Sequence, residues 1–399
     1  MSKTTQPWGE EIARRGDSLV ALRRDLHKHP ELSMEERRTA EVIAQRLHAA
    51  GLEVRTGLAG TGVVGVLRGD QAGRVIAWRA DIDALPLDEV PELPFKSVHA
   101  GVMHACGHDG HAAIAVTLAE ILAARRPDVR GTAVFIFQPG EEVFGGARPM
   151  IEAGVLENPH VEEVYGLHLT TLSPAGRVWV QPGPSMASAD FFNIEVKGMG
   201  GHGAFPHLSR DPITVAAHIV VGMQNLVSRE IAAHQTAVLT VGQIESGSRH
   251  NIIPERAFLR GSLRTFDTRV REQILERLGT FASRIAQAYR AEASVAFEQG
   301  NCPPVVNHAA QSAFVHRCAV EEMGAEAIEQ GRPVMASDDV ALFLEQRPGC
   351  YFRVGIAPPD REPVPHHNPN FYLDEAGLPV GVRVGLKVML SALGGESDS

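Results

Sequence analysis

The residues with the most chemical content are His104-Ala105-Cys106-Gly107-His108-Asp109-Gly110-His111, taken together with Glu141-Glu142. Five side chains with metal affinity occupy eight positions in the first run, and a buried divalent ion needs such anionic or imidazole donors to offset its lost hydration. The run reads as half of a metal centre. A histidine-rich surface loop would show the same residues, but it would need no partners elsewhere, and here partners follow. Cys106 and His108 are two apart, so in an extended loop they can straddle one ion or grip two neighbouring ions, with the thiolate free to bridge. Adjacent glutamates point in different directions, so one of Glu141 and Glu142 can bind metal while the other stays free as a proton shuttle. That division suits hydrolysis, because a metal acidifies water and a nearby carboxylate can take the proton as the water attacks a carbonyl. His168 and His367 add imidazoles farther along, and Asp81 and Asp83 add carboxylates. Taken singly, each of these four reads as a loop histidine, a turn residue or a helix cap.

Such groups must be positioned by regular elements. Ile12, Leu19, Leu22 and Leu26 recur at helical spacing, which predicts an amphipathic helix from residue 7 to about 28. Ser33 followed by Glu36 predicts a capping box for a second helix through Ile43 and Leu47, stopped at Gly51. Strands are predicted at 62–67, 75–78, 132–137 and 161–166, with a helix over 111–126. This alternation predicts an α/β layer structure with a largely parallel central sheet. Asp81, Asp83, Glu141, Glu142 and His168 then each lie just beyond the carboxyl end of a strand, the edge where open α/β sheets place their ligands.

From residue 187 to 303 the texture changes. Strand 191–197, helix 211–229, strands 236–244 and 257–265, helix 268–289 and strand 293–297 follow in the order βαββαβ, that of a ferredoxin-like α+β unit that stands alone. The expected organisation is a metal-binding domain made of residues 1–186 and 304–399, interrupted by an inserted domain at 187–303. The glycine- and proline-rich stretches 181–188 and 300–304 would be its hinges. Helices at 311–323 and 338–346, a strand at 351–354 and a helix over 374–393 complete the first domain. Pro365-His366-His367-Asn368-Pro369 falls between the last two.

Composition narrows the partners. The 399 residues favour two domains. Acidic residues outnumber basic ones by 48 to 38 and no long lysine or arginine run occurs, which speaks against nucleic acid and anionic membranes. Cys106, Cys302, Cys318 and Cys350 lack paired spacing, as expected in a reducing compartment. Glu10, Glu11, Arg14, Arg15 and Asp17 stand where a secretory signal would need an apolar core, so the expectation is a cytoplasmic enzyme.

Several segments now stand in order along nearly the whole chain. They are Arg23-Arg24-Asp25-Leu26-His27 with His29-Pro30-Glu31-Leu32-Ser33, Arg79-Ala80-Asp81-Ile82-Asp83-Ala84-Leu85-Pro86, Met103-His104-Ala105-Cys106-Gly107-His108-Asp109 and Gln138-Pro139-Gly140-Glu141-Glu142. Gly166-Leu167-His168, Gly198-Met199-Gly200-Gly201-His202-Gly203, Asn251-Ile252-Ile253-Pro254 and His367-Asn368-Pro369 continue the series. Together they resemble the M20 metallopeptidase and amidohydrolase clan, and within it subfamily D, the branch of hippurate hydrolases and auxin-conjugate amidohydrolases.

The resemblance implies a pair of divalent ions (zinc, manganese, nickel or cobalt) held by Cys106, His108, Glu142, His168 and His367, with Cys106 bridging. Glu141 would be the general base and acid, and Asp83 would orient a histidine ligand, since an imidazole needs its other nitrogen held. It further implies that His202, in the inserted domain, reaches the active site of a partner subunit and polarises the scissile carbonyl, hence a homodimer formed through the inserted domains. Asn251 and Arg264 resemble residues that hold a substrate carboxylate or amide, a task that suits a bidentate arginine. Ser337-Asp338-Asp339 replaces the Ser-Glu-Asp more usual in the family, and where the histidine is doubled at 366 and 367, the following Asn-Pro selects His367. The implied activity is cleavage of a small-molecule N-acyl amino acid, hippurate-like or N-acetylated, to a carboxylic acid and a free amino acid. A dipeptidase or carboxypeptidase of the same clan is the alternative enzyme. A catalytically inactive metal- or ligand-binding protein is the alternative outside enzymes, and it would have no use for a proton shuttle.

Overall fold

The helical spacing of Leu19, Leu22 and Leu26 is realised in helix α1 (Gln6–Lys28), where all three are buried. The structure, a computed structural model, describes residues 6–298 and 300–398. These fall into two units: the first takes the chain up to Gly183, Val306–Arg332 and the chain from Asp338 on, and the second takes Pro184–Val305 and Pro333–Ser337.

In the first unit α1 leads to α2 (Arg37–Ala49), which buries Ile43 and Leu47. The predicted capping box is not formed, and α2 has no side-chain cap. Ser33 Oγ donates instead to Asp83 Oδ2 at 2.6 Å. Glu36, fully buried, accepts from the backbone N–H groups of Met34 and Gly140 and from the Thr61 hydroxyl. Tertiary donors have taken the oxygens that the spacing offers to a helix terminus, so this pair ties the start of α2 to the loops of the site. Strands β1 (Glu53–Leu58), β2 (Gly62–Arg68) and β3 (Gln71–Asp81) follow. Then come α3 (His108–Ala124), β4 (Arg130–Gln138), the short α4 (Ala147–Glu152), β5 (Glu163–Pro174) and β6 (Val178–Val180).

The second unit contains β7 (Asp190–Lys197), α5 (Pro212–Ser228), β8 (Ala237–Ser246), β9 (Arg256–Thr265), α6 (Thr268–Ala288) and β10 (Glu292–Phe297). Its antiparallel sheet runs β8-β9-β7-β10, the ferredoxin-like order expected of βαββαβ. Phe192, Ile194 and Val196 of the sheet share a core with Val215, Ile219 and Met223 of α5 and Ile274 and Leu278 of α6. Asp211 and Asp267 cap these helices by accepting first-turn backbone N–H bonds. Pro333–Ser337 lies outside the expected 187–303 yet belongs to this unit. Ala187 N–H bonds to the carbonyls of Val334 and Ala336, and Arg264 Nη1 donates to Met335 O at 2.9 Å and Ser337 Oγ at 2.8 Å.

The chain re-enters the first unit with α7 (Ala309–Met323), β11 (Ile328–Gln330), α8 (Val340–Gln346), β12 (Gly349–Ala357) and α9 (Gly377–Leu393). The eight-stranded sheet has the order β1-β2-β4-β3-β5-β12-β6-β11. Its centre, β4-β3-β5-β12, is parallel, while β1, β2 and β6 add antiparallel pairs. The sheet is thus mixed and mostly parallel. Strands β6 and β11 span three residues each, too few for periodicity to reveal. Ile114 and Leu118 of α3 and Val382, Val384 and Leu386 of α9 pack with Trp78, Phe135 and Phe352 of the sheet in one core.

Candidate metal centre

Parallel pairing brings the ends of the central strands to one edge. Strand β3 ends at Asp81, β4 at Gln138, and the pairing of β5 with β3 at Gly166. His168 lies within β5 rather than beyond it, because β12 goes on pairing with β5 after β3 has stopped. Cys106 and His108 reach this edge from the loop before α3. Gly107 between them has φ +88°, a left-handed turn that glycine makes at little cost. Gly140 turns the chain before Glu141 at φ +59°, where an added Cβ would lie 2.4 Å from Met34 Sδ. His367 itself has φ +59°, an uncommon state for a non-glycine residue and one that collects at functional sites. Its N–H is held by Ala105 O at 2.9 Å.

The donor atoms converge. Cys106 Sγ is 3.6 Å from His168 Nε2, and His367 Nε2 is 3.2 Å from Glu142 Oε1. His108 Nε2 is 3.9 Å from Glu142 Oε1 and 4.0 Å from Glu141 Oε2. Within Cys106–His108–His168, Cys106–Glu142–His367 and His108–Glu141–Glu142, the ligand atoms all lie within 4.8 Å of one another. Cys106 therefore belongs to two triads. His108 Nδ1 faces the carbonyl of Asp83 at 3.0 Å and its Oδ1 at 3.1 Å, and His168 Nδ1 faces Leu169 O at 2.6 Å. With those nitrogens protonated, each Nε2 carries its lone pair into the site. His108 Nε2 is buried and has no hydrogen-bond partner among the described residues, a costly state unless a ligand satisfies it, while Glu142 Oε1 is paired with His367. Imidazole, thiol and carboxylate donors so placed fit divalent cations.

The site is rich in negative charge. Burial, and after it the charges of Asp338, Glu142 and Asp339, holds the Glu141 carboxyl well above the usual carboxylate range. Burial disfavours a charged His108, but Asp81, Cys106 and Asp83 outweigh it and push that imidazole upward. His367 rises to about 10 through its bonds to Cys106 and Glu142. A bound cation would balance such a surplus of acceptors. Arg79 already supplies one positive charge there, with Nη1 2.6 Å from Asp81 Oδ2 and Nη2 3.1 Å from Asp338 and 3.2 Å from Asp339. Sequence reasoning missed this cluster, since Arg79 and Asp338 stand 259 positions apart and share no motif.

Not every residue of the histidine-rich run serves the donors. His111 uses both nitrogens, facing Asp81 at 2.5 Å and accepting the Leu169 N–H at 2.8 Å. Asp109 is bonded to Arg23 and His27, which fastens the start of α3 to α1. His104 is buried with neither ring nitrogen partnered, and burial pushes it down to about 4. His366 is spent on Leu169 O at 3.1 Å, while the neighbouring His367 faces Glu142.

Cys106, His108, Glu141, Glu142, His168, His367 and Asp83 are thus brought together in the first unit. His202, Asn251 and Arg264 lie in the second. There Gly201–His202 pairs with Ile252–Ile253, and His202 is exposed, its Nδ1 accepting the Ala204 N–H at 3.1 Å. His202 and Asn251 line an open groove of about 650 Å³.

Converging imidazole, thiol and carboxylate donors beside a glutamate that holds its proton unusually well are the working arrangement of metal-dependent hydrolases, and that is the class to which the fold and the site point. The family can be stated more narrowly: residues 77–391 match peptidase family M20/M25/M40, and the chain belongs to it. It is 39% identical over 368 residues to the N-acetylcysteine deacetylase of Bacillus subtilis (strain 168), covering 91% of this chain and 93% of that one. To IAA-amino acid hydrolase ILR1-like 4 of Arabidopsis thaliana it is 36% identical over 369 residues, 92% and 83% of the two chains. The crystal structure of a dinuclear metal-binding peptidase of family M20 from Bacillus subtilis matches with a TM-score of 0.81 at 34% identity, over 96% of this chain and 99% of that one. Among the described residues no helix is long and apolar enough to cross a membrane.

Proposed function

We propose that this chain is a dinuclear metal-dependent amidohydrolase of the subfamily D branch, cleaving N-acyl amino acids to a carboxylic acid and a free amino acid. The observation that carries the reading is the buried, unpartnered His108 Nε2, aimed at Glu141 and Glu142 among the converging donor atoms. Cys106, His108, Glu142, His168 and His367 would hold the ions, with Cys106 shared as its membership of two triads supports. Divalent ions held there supply Lewis acidity, acidifying water and polarising the amide carbonyl. The thiolate favours zinc, nickel or cobalt, and the carboxylate and imidazoles admit manganese.

Glu141 takes a proton from the attacking water and passes it to the leaving nitrogen. Its raised affinity for the proton, set by burial and the acids around it, suits a group that must hold the proton between two transfers. Asp83 orients His108 through Oδ1 while its Oδ2 accepts the Glu142 N–H at 3.0 Å, so one carboxylate positions two ligands. His202 would polarise the carbonyl at the site of a partner subunit in a homodimer, and Asn251 and Arg264 would hold the substrate's amide or carboxylate. Two relatives named for acyl–amino acid cleavage support the substrate class. Four free, buried cysteines support a reducing, cytoplasmic setting.

The test is metal content together with hydrolysis of N-acetyl and N-benzoyl amino acids and of dipeptides, before and after chelation. About two ions per chain and chelator-sensitive cleavage of acyl amino acids would support the proposal. Faster cleavage of dipeptides would shift it to a peptidase of the same family, and protein that takes up no metal would refute it.

A further inference from the structure

Arginine carries a charge and five donors, so it is rarely buried without an acceptor. Arg353 is 5% exposed, and its Nη1 and Nη2 are buried with no hydrogen-bond partner. It lies in β12, where successive side chains alternate between faces. Phe352, Val354 and Ile356 enter the hydrophobic core, so Tyr351 and Arg353 project from the other face. That face carries the candidate metal centre: the His168 ring is 6.3 Å from the Tyr351 ring, and Arg353 is in register with His168 of β5.

On its other side Arg353 is in register with Trp179 of β6, and the guanidinium carbon lies 5.0 Å from the centroid of that indole. A cation–π contact of this kind holds the fork in place without using its N–H groups. Trp179 Nε1 is also buried and unpartnered. Gly331 makes room for it, since a Cβ there would come within 1.2 Å of that nitrogen. The nearby acids are engaged elsewhere. Glu329, in register with Trp179, accepts from Ser173 Oγ at 2.6 Å, and Asp338 is paired with Arg79. Burial pushes the guanidinium down to about 10, although the charges of Tyr351 and Asp338 work against it.

A planar fork of donors beside an indole N–H matches a carboxylate, which accepts two parallel N–H bonds. We infer that Arg353 and Trp179 form a subsite, one strand from His168, for the free α-carboxylate of the substrate's amino-acid half. The inference rests on the proposed amidohydrolase reading, because an acyl amino acid carries that carboxylate and its carboxamide does not. Arg264, the arginine the family resemblance points to for this task, has its Nη1 engaged by Met335 O and Ser337 Oγ, whereas Arg353 has two nitrogens to offer.

The experiment compares the metal-loaded enzyme with its Arg353→Met and Arg353→Lys variants on an N-acetyl amino acid and on the matching carboxamide. Tryptophan fluorescence is titrated in parallel with benzoate, and Trp179→Phe identifies the responding indole. In Arg353→Met the acid-to-carboxamide ratio of kcat/KM should fall about 10- to 100-fold, mainly through KM for the acid, and lysine should restore part of it. Metal content should hold and the melting temperature should stay level or rise, since Nη1 and Nη2 give up no hydrogen bond when an apolar group replaces them. Benzoate should perturb Trp179 in the parent and not in Arg353→Met. Equal losses on both substrates, an unchanged ratio, or a large fall in melting temperature would overturn the subsite. If the parent cleaves neither compound while benzoate still perturbs Trp179 in an Arg353-dependent way, the amidohydrolase reading fails and the carboxylate site stands.

Discussion

His108 and His202 both directly follow a glycine, one in each unit, and their surroundings differ in kind. His108 is buried, one ring nitrogen held by Asp83 and the other aimed at Glu141 and Glu142. His202 is exposed, and its ring accepts from the N–H of Ala204, two residues along the chain. The first imidazole has its direction set by contacts from distant parts of the chain. The second has a defined backbone and no orienting carboxylate, so in the proposed mechanism its direction comes from a surface outside its own unit. A ligand can be built from one unit's interior, whereas a group that visits a site must stay free to move.

Substitutions can break this comparison. The largest effect is expected at Glu141: Glu141→Gln should lower kcat by about 10²- to 10⁴-fold with metal content unchanged, read by steady-state kinetics and elemental analysis. Loss of metal in that variant would instead make Glu141 a ligand. His202→Ala should cost about 10²- to 10³-fold in kcat while stability and metal content hold. Mixing it with Glu141→Gln should recover activity if sites are completed between subunits, and no recovery would confine His202 to its own chain. Asp83→Asn, which loosens His108, should weaken metal affinity about 10- to 100-fold, measured by competition with a chelator; His202→Ala should leave that affinity alone.

The smallest expected effect is a pH dependence of stability. Burial, reinforced by Asp338, raises the Asp339 carboxyl to about 7 in the folded protein despite Arg79. An acid whose folded value lies above its unfolded value binds more protons in the folded state. Its contribution is therefore fully present below the ordinary carboxylate range and is lost as pH rises through about 7. Asp339→Asn should flatten the fall in melting temperature between about pH 4 and 7; an unchanged slope would assign the dependence to other groups.

What could be read from the sequence was whatever depends on neighbours in the chain. The helix of α1 follows from leucines at helical spacing, the ferredoxin-like order from alternating strands and helices, and the donor run from its crowding between residues 104 and 111. What escaped depends on partners far away. Ser33 and Glu36 have the spacing of a cap, but Asp83, Thr61 and Gly140 compete for them. His111 looks like a ligand until Asp81 and Leu169 are seen to occupy both its nitrogens. Arg353 announces itself only by the acceptors it lacks, and a lack of partners leaves no trace in a sequence.

The division of the chain also has a consequence for synthesis. The second unit is nearly contiguous, wanting only Pro333–Ser337 from later in the chain, and domains generally fold as units while the chain emerges, at about 5–20 residues per second. The first unit must wait. Its central strand β12 and the ligand candidate His367 leave the ribosome more than 240 residues after Cys106, so a nascent chain carries an uncovered thiol and an unfinished sheet past the insert. During that interval of roughly 12 to 50 seconds at those rates, Cys106 lacks the surroundings that bury it in the finished fold.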